Sequence, residues 1–346
     1  MNKINTVIRC LAFVVTYSVA ANVNGETISR SKSAVVIVSG GMGVSPFTTP
    51  TDYCKEGYSA GNTDTFLREY LLAQGFRVFT SPAMAGFGEV PAVGDESEGP
   101  FGKCPKALPQ YMTVNSSGDI QLAGTSLANF LNYIGRKYGV RQVDLVAHSM
   151  GGLFSRSAIK YLKDTRSVVK VRSLTTLGTP WQGAPLANPT NPNDQTSGCD
   201  GQDACINLIK VFGASAPIIL LELGRKQIDA LNSYNSGVLD NIPVTLIAGN
   251  AFKKAGGSEN IWPNDGTANL SSAFAQNVPD SVIKHRTCYL LEGGTHHIYT
   301  SQHATPPLPL DTAITWNTKV GEWVANALRN ADSAMSQANR QNCPLP

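Results

Sequence analysis

The residue whose surroundings most suggest chemistry is Ser149, which lies between an apolar run and a glycine pair. Residues 143–152 read Val-Asp-Leu-Val-Ala-His-Ser-Met-Gly-Gly. This pattern predicts a buried strand, a sharp turn at the serine and the first turn of a helix. Such a turn can present a serine hydroxyl to a neighbouring base, which a weak nucleophile needs at neutral pH. The sequence therefore makes Ser149 a candidate nucleophile; the competing interpretation is a simple helix cap.

Small residues stand two positions to either side of this serine. Ala147 and Gly151 leave room for the strand and the helix to approach each other closely. The backbone N–H of Met150 would then lie at the start of the helix, where it could donate a hydrogen bond to a developing oxyanion. A second donor is predicted in the loop Gly40-Gly41-Met42-Gly43, which follows the apolar run 33–39. We assign that donor to the N–H of Gly41, although a glycine-rich turn without a ligand fits the same residues.

A nucleophilic serine at such a turn needs a base and an acid from loops later in the chain, in the order Ser, acid, His. Asp265 supplies the acid in that order, although Asp-Gly is also a common turn signal. For the base we prefer His297, which precedes the apolar Ile298, and keep His296 as the near alternative. The rival acids are Asp240 and Asp280. The remaining histidines fit less well because of their places along the chain: His148, His285 and His303.

Strand and helix patterns alternate along the chain, which predicts a mostly parallel sheet covered by helices on both faces. Strands are expected at 33–39, 76–80, 143–148, 168–177, 243–248 and 286–291. Helices are expected at about 63–74, 121–138, 150–162 and 316–328. The sequence thus predicts an α/β fold in which the candidate residues share the carboxyl edge of the sheet.

Three further segments could form walls of a substrate pocket at that edge. The first is 83–87, where Met84 and Phe87 are the candidate contacts, at the start of a Gly- and Pro-rich stretch from 81 to 119. The second is the loop 178–185, where Trp181 is the candidate. The third is a long insertion at about 186–241, which we interpret as a cap. Its apolar residues 218–221 fit a buried core as well as an acyl pocket.

The first 25 residues have the pattern of a signal peptide. Lys3 and Arg9 precede an apolar run from Cys10 to Ala21 that is short for a membrane span, and small residues follow. Its removal would leave 26 basic and 25 acidic residues, so the charge does not favour a nucleic-acid partner. We therefore expect export to the extracellular or periplasmic space and a single domain over 26–346.

Six cysteines would remain after that cleavage, and an even number in an exported chain predicts disulfides. Six cysteines allow 15 connectivities. The order-preserving choice pairs 54 with 104, 199 with 205 and 288 with 343; the cysteines involved are Cys54, Cys104, Cys199, Cys205, Cys288 and Cys343. No Cys or His spacing typical of a zinc site occurs, and the loop aspartates 194, 200 and 203 are better explained as solvated side chains than as calcium ligands.

Four segments together resemble a known family: Ala-His-Ser149-Met-Gly-Gly, the loop 178–185, Asn-Asp265-Gly and the late His-His297-Ile. They look like those of secreted α/β-hydrolase lipases and esterases, especially the small bacterial lipases with alanine at the first glycine position of the serine turn (lipase class 2). The resemblance covers most of 33–328. It departs at Ser39, where that family usually has histidine before the oxyanion glycine.

The resemblance implies an α/β-hydrolase fold and hydrolysis of carboxylic esters, such as acylglycerols, through a serine acyl-enzyme. His297 would be the base and Asp265 its partner, while the N–H groups of Gly41 and Met150 would bind the oxyanion. No cofactor or metal is implied; the substrate would be an ester or lipid, and transient contact with lipid surfaces is compatible with it. Other serine hydrolases (polyester depolymerase, thioesterase, amidase or acyltransferase) share these residues, and a non-catalytic secreted binding module on the same fold is an alternative from another class.

Overall fold

A parallel sheet of six strands is the framework of the structure, a computed structural model that describes residues 32–51, 66–86, 107–337 and 343. Its strands are β1 (Ser33–Val38), β2 (Val78–Thr80), β5 (Gln142–His148), β6 (Lys170–Leu177), β7 (Val244–Gly249) and β8 (Arg286–Leu291). They lie in the order β2-β1-β5-β6-β7-β8. A separate parallel pair joins β3 (Ala83–Met84) to β4 (Val114–Asn115).

Parallel register throughout the sheet brings the carboxyl ends of its strands to one edge. Val38 of β1 pairs with Ala147 of β5, and His148 at the end of β5 pairs with Leu177 at the end of β6. At the far side, Gly249 pairs with Leu291 where β7 and β8 end. The loops that follow these strands therefore begin at one edge of the sheet, where open parallel sheets bind ligands.

Helices connect the consecutive strands of the main sheet and continue after its last strand. They are α1 (Arg68–Ala73), α2 (Ile120–Tyr138), α3 (Gly151–Asp164), α4 (Asp203–Ser215), α5 (Pro217–Glu222), α6 (Arg225–Tyr234), α7 (Leu270–Ala273), α8 (Ile298–Gln302), α9 (Thr318–Arg329) and α10 (Ala331–Gln337). None of these helices of the described chain is long and apolar enough to cross a membrane.

Alternate residues of each strand face opposite layers of helices. In β1, Val36 and Val38 belong to a cluster with α2, α3 and the cap, whereas Val35 and Ile37 pack with α1 and α9. Burial on both faces explains why these strands are almost continuously apolar. The helix α2 begins at Asp119, whose side chain accepts a hydrogen bond from the N–H of Leu122, and ends at Gly139 in the left-handed conformation.

The predicted fold class is confirmed, with most element bounds within a few residues of the expected ones. The insertion at 186–241 contains three helices that were not predicted, α4, α5 and α6, and its apolar residues 218–221 lie in α5. Disulfides join Cys199 to Cys205 and Cys288 to Cys343. The predicted pair of Cys54 and Cys104, like the signal peptide, lies outside the described residues.

Candidate active site

The strand-turn-helix around Ser149 has the predicted geometry. Ser149 has a φ of 53°, in the left-handed region that side-chain-bearing residues rarely adopt. Its backbone is held on both sides, because its N–H donates to the carbonyl of Leu177 at 2.8 Å and its carbonyl accepts from the Thr179 hydroxyl at 2.7 Å. A Cβ at Gly151 would stand 2.7 Å from the carbonyl oxygens of Val38 and Ser39. The small residue expected after the serine is therefore required.

The glycine-rich loop after β1 lies directly against this turn. A Cβ at Gly40 would come within 2.5 Å of the Ser149 Cβ, so a side chain there would displace the serine. A Cβ at Gly41 would lie 2.9 Å from the Met150 sulfur. Within the described part of the chain, the N–H groups of Gly41 and Met150 form no hydrogen bond. The two residues whose N–H groups are the predicted donors are thus neighbours. The hydroxyl of Ser39 donates to the hydroxyl of Ser45 at 3.3 Å.

A buried acid and base pair lies across the sheet edge from the strand β1. The Oδ2 of Asp265 accepts a hydrogen bond from the Nδ1 of His296 at 2.7 Å, and both side chains are almost fully buried. The Oδ1 of Asp265 accepts from the N–H groups of Thr267 at 3.0 Å and Ala268 at 2.8 Å. Because the carboxylate is satisfied at both oxygens, it is fixed in orientation and can hold the histidine in one tautomer.

The structure corrects the choice between the two adjacent histidines: the partner of Asp265 is His296, and the preference for His297 was wrong. His297 instead begins the helix α8, where its Nδ1 accepts a hydrogen bond from the N–H of Thr300 at 3.1 Å. Burial and the neighbouring His296 lower the pKa of His297 to about 3. Its ring is therefore neutral and serves as a helix cap.

Gly178, at the end of β6, is a site residue that the sequence analysis did not single out. It has a φ of 62°, and a Cβ there would lie 2.8 Å from the Nδ1 of His296 and 2.9 Å from the Oδ2 of Asp265. The pair can form only because this position has no side chain. Its position in Leu-Gly-Thr-Pro, directly after a strand, was the signal available in the sequence.

The rival acids and histidines lie elsewhere. Asp280 is exposed and forms an ion pair with Arg286 at 3.3 Å, and Asp240 is exposed before β7. His303 is exposed and hydrogen-bonds the carbonyl of Tyr299, while His285 precedes β8 at the opposite end of the strand. These placements agree with the elimination made from the sequence.

Two of the three candidate substrate contacts, Trp181 and Met84, lie in the described part of the chain. Trp181 is fully buried, with the guanidinium of Arg156 5.1 Å from its ring centre and the carbonyl of Trp181 bonded to Asn232. It packs in the core, so its expected role is corrected. Met84 is half-buried in the small pair β3 and β4, and Phe87 lies outside the described residues.

The cap contacts the glycine-rich loop 40–43, where one oxyanion donor is predicted and which we call the oxyanion loop, through Ile219 of α5. This side chain is fully buried, and its Cδ1 would lie 3.4 Å from a Cβ at Gly41. Ile218 and Leu221 on the same short helix are exposed instead. The cap also contacts the loop that carries Asp265, which we call the acid loop. There the side-chain amide of Gln202 donates to the side-chain oxygen of Asn264 at 2.8 Å. The insertion is therefore attached to both sides of the site.

The site combines a serine at a strained turn, two N–H groups beside it that no described residue accepts from, and a buried Asp–His pair, all at one sheet edge. No group of metal-ligating side chains occurs among the residues that the structure describes. This arrangement is that of the α/β-hydrolase fold.

Comparisons with known proteins agree with this class. Residues 110–194, which include the serine turn and Gly178, match a family described as "Putative serine esterase (DUF676)". No curated protein sequence matches the chain. The fold is similar to the propeptide form of the lipase BlEst2 from Bacillus licheniformis, with a TM-score of 0.50, 17% identity and coverage of 91% of this chain and 53% of that one. The chain thus spans about half the length of that structure.

Two further solved structures have comparable scores. The mature form of the same lipase gives a TM-score of 0.48 at 18% identity, covering 80% of this chain and 90% of that one. A thermostable carboxyl esterase from Bacillus coagulans gives 0.48 at 13% identity, covering 87% and 90%. At 17% identity, the likeness to the propeptide form of the lipase shows the fold alone. The match to a serine esterase family covers residues 110–194 only.

Proposed function

We propose that this chain is a secreted serine carboxylic-ester hydrolase, a lipase or esterase, with Ser149 as nucleophile, His296 as base and Asp265 as the residue that orients the base. The observation that carries the proposal is the buried 2.7 Å contact between Asp265 and His296 at the sheet edge that also presents Ser149. A buried carboxylate that is satisfied at both oxygens holds its imidazole partner in one orientation, as a general base requires.

The proposed reaction uses the tautomer of His296 whose Nδ1–H donates to Asp265, because in that tautomer the Nε2 is the acceptor. His296 takes the hydroxyl proton of Ser149 as the oxygen attacks the ester carbonyl. The N–H groups of Gly41 and Met150 stabilise the resulting oxyanion. The tetrahedral intermediate then collapses, the C–O bond to the alcohol breaks, and His296 returns the proton to the leaving alcohol.

The second half of the reaction repeats these steps with water. His296 removes a proton from water, the hydroxide attacks the acyl carbonyl, and the bond to the Ser149 oxygen breaks. The proton passes to Ser149 and the carboxylic acid leaves. Each step uses groups of this chain alone, so the proposal includes no metal or organic cofactor.

An apolar acyl group is the substrate feature that the described surroundings favour. Ile219 approaches Gly41, and the Met150 side chain lies beside the same glycine. These contacts place apolar carbon next to the proposed oxyanion donors, where a substrate's acyl chain would begin. The proposal of export is supported by the disulfides Cys199–Cys205 and Cys288–Cys343, which persist in oxidising compartments.

Hydrolysis of p-nitrophenyl esters from acetate to palmitate by the disulfide-bonded protein tests the proposed function. We expect turnover by the parent and loss of at least about 1,000-fold in Ser149→Ala. Ser155→Ala is the matched control, because Ser155 is a buried serine of α3 whose hydroxyl has no partner among the described residues. A rise in rate with chain length supports a lipase, and a preference for acetate supports a short-chain esterase.

No turnover at any chain length, with parent and Ser149→Ala alike, contradicts the proposed ester hydrolase. The other serine hydrolases would then be tested with amides, thioesters and polyesters. A non-catalytic binding module is the remaining alternative, and the strained φ of Ser149 argues against it, because such strain persists where function requires it.

A further inference from the structure

The sheet order leaves the proposed nucleophile and base without a direct main-chain connection. β5, which ends before Ser149, and β8, which leads to His296, are separated by β6 and β7. Three strand spacings amount to roughly 14 Å, so no ladder hydrogen bond joins β5 directly to β8. The segments that follow these two strands must therefore bring the serine and the base together.

A side chain at the end of β5 directly contacts the segment that follows β8. The Nε2 of His148, the residue before Ser149, lies 3.0 Å from the carbonyl oxygen of His296. Because a carbonyl oxygen can only accept, the Nε2 carries the proton and donates it. The ring centres of His148 and His296 are 4.6 Å apart, and both side chains are almost fully buried. The contact links residues 148 positions apart in the chain.

We propose that His148 is a positioning residue: its Nε2–H holds the main chain of His296 and so fixes the base relative to the serine that follows His148. This inference rests on the proposed function for the roles of Ser149 and His296. The base is then held at three atoms. Its N–H donates to the carbonyl of Asp265 at 2.7 Å, its Nδ1 donates to the carboxylate, and its carbonyl accepts from His148.

The environment keeps His148 in the neutral form that this role requires. Burial lowers the pKa of His148 well below its usual range, and the neighbouring His296 and His297 lower it further. The groups that face it are thus two other imidazoles and a carbonyl oxygen. A neutral ring beside His296 also avoids repelling the positive charge that the base acquires during catalysis.

Replacing the ring tests the hydrogen bond separately from the packing. His148→Phe keeps a ring but removes the donor, whereas in His148→Gln the amide nitrogen lies the same number of bonds from Cβ as the Nε2. Small misplacements of reacting groups can cost about 100-fold in rate. We expect His148→Phe to lose about that much in kcat on a p-nitrophenyl ester with KM unchanged, and His148→Gln to stay within about threefold of the parent. If His148→Phe fails to fold, His148→Asn, whose amide is one bond too short, takes its place.

A spectroscopic readout distinguishes this inference from the proposed function. The Nδ1–H of His296, bonded to Asp265, should give a downfield proton NMR resonance that disappears in Asp265→Asn. We expect it unchanged in His148→Gln and shifted or broadened by exchange in His148→Phe. An unchanged resonance in His148→Phe, or kcat within twofold of the parent, overturns the positioning role. An inactive parent overturns the proposed function, while the resonance still decides whether His148 orders the base.

Discussion

At the residue scale, two left-handed backbone positions arrange the reactive groups. Ser149 has a φ of 53° and Gly178 a φ of 62°. The first is strained, because a side chain in this region costs on the order of 1–2 kcal/mol, and it turns the hydroxyl out of the strand. The second is open to glycine alone, because the imidazole and carboxylate fill the space where a Cβ would stand.

Gly178→Ala should therefore disrupt the pair of Asp265 and His296 without touching either residue. A Cβ at 2.8 Å from the Nδ1 must displace the ring, and we expect activity to fall by at least about 100-fold. The measurement is kcat/KM on a p-nitrophenyl ester, with the melting temperature recorded beside it.

Gly139→Ala is the matched control for that variant. Gly139 has a φ of 70°, but a Cβ there would meet no atom within 4 Å. It should lose about 1 kcal/mol of stability from backbone strain and keep its activity. Equal activity losses in the two variants would show that backbone strain, rather than the contact with the pair, explains the effect.

Residues whose role follows from local sequence could be predicted, and the structure agrees with their placement. Ser149 is defined by its own strand and helix, and Asp265 by its place between the last two strands. The choice between His296 and His297 could not be made, because adjacent side chains differ only in how the backbone turns. His297 caps α8, while the N–H of His296 donates to the carbonyl of Asp265, and these are tertiary contacts that the sequence does not show.

At the scale of elements, the short helix α5 is the part of the cap that lies nearest the site. Ile219 is fully buried and faces Gly41, whereas its neighbour Ile218 is 47% exposed. Because both residues are isoleucine, the sequence does not show which of them packs in the core and which could line an acyl pocket. Their different burial follows from how α5 docks on the oxyanion loop, which is a tertiary contact.

Ile219→Ala should destabilise the protein by about 2–4 kcal/mol, because it removes buried carbon between the cap and the loop that holds Gly41. The paired control Ile218→Ala should change stability by less than about 0.5 kcal/mol. Urea denaturation of both variants measures this difference. Matching losses in the two would mean that α5 does not pack on the oxyanion loop.

At the scale of the whole molecule, alternation of strands and helices was sufficient to predict a parallel sheet, because continuous apolar strands are buried on both faces. The cap was less predictable. Its helix α6 buries only a narrow face, with Ile228 and Leu231, and its polar remainder resembles a loop. The contact of Gln202 with Asn264, which joins cap and acid loop, links residues 62 positions apart and leaves no local signal.

The stability of the whole protein should depend on the histidines that folding keeps neutral. The pKa of His297 is lowered to about 3, so below pH 6.5 the unfolded chain binds a proton that the folded chain does not. Stability therefore falls as the pH drops from 6.5 toward 3, by at most about 1.4 kcal/mol per pH unit for this group. Above pH 6.5 the group has no effect.

His297→Asn should make that pH dependence shallower. Asparagine can still cap α8, but it does not titrate. Urea denaturation at several pH values between 4 and 7 gives the two slopes. Parallel slopes in parent and variant would contradict the assignment of a neutral, cap-forming His297. The same variant should retain ester hydrolysis, because the base is assigned to His296.

The most direct test of the central claim is covalent labelling with a fluorophosphonate, followed by mass spectrometry of the peptides. This reagent reacts with a serine that an adjacent base activates. We expect a single adduct at Ser149, formed rapidly by the parent and by His297→Asn, and slowed by at least about 100-fold in His296→Asn. An unmodified Ser149, or loss of labelling in His297→Asn with retention in His296→Asn, would contradict the central claim.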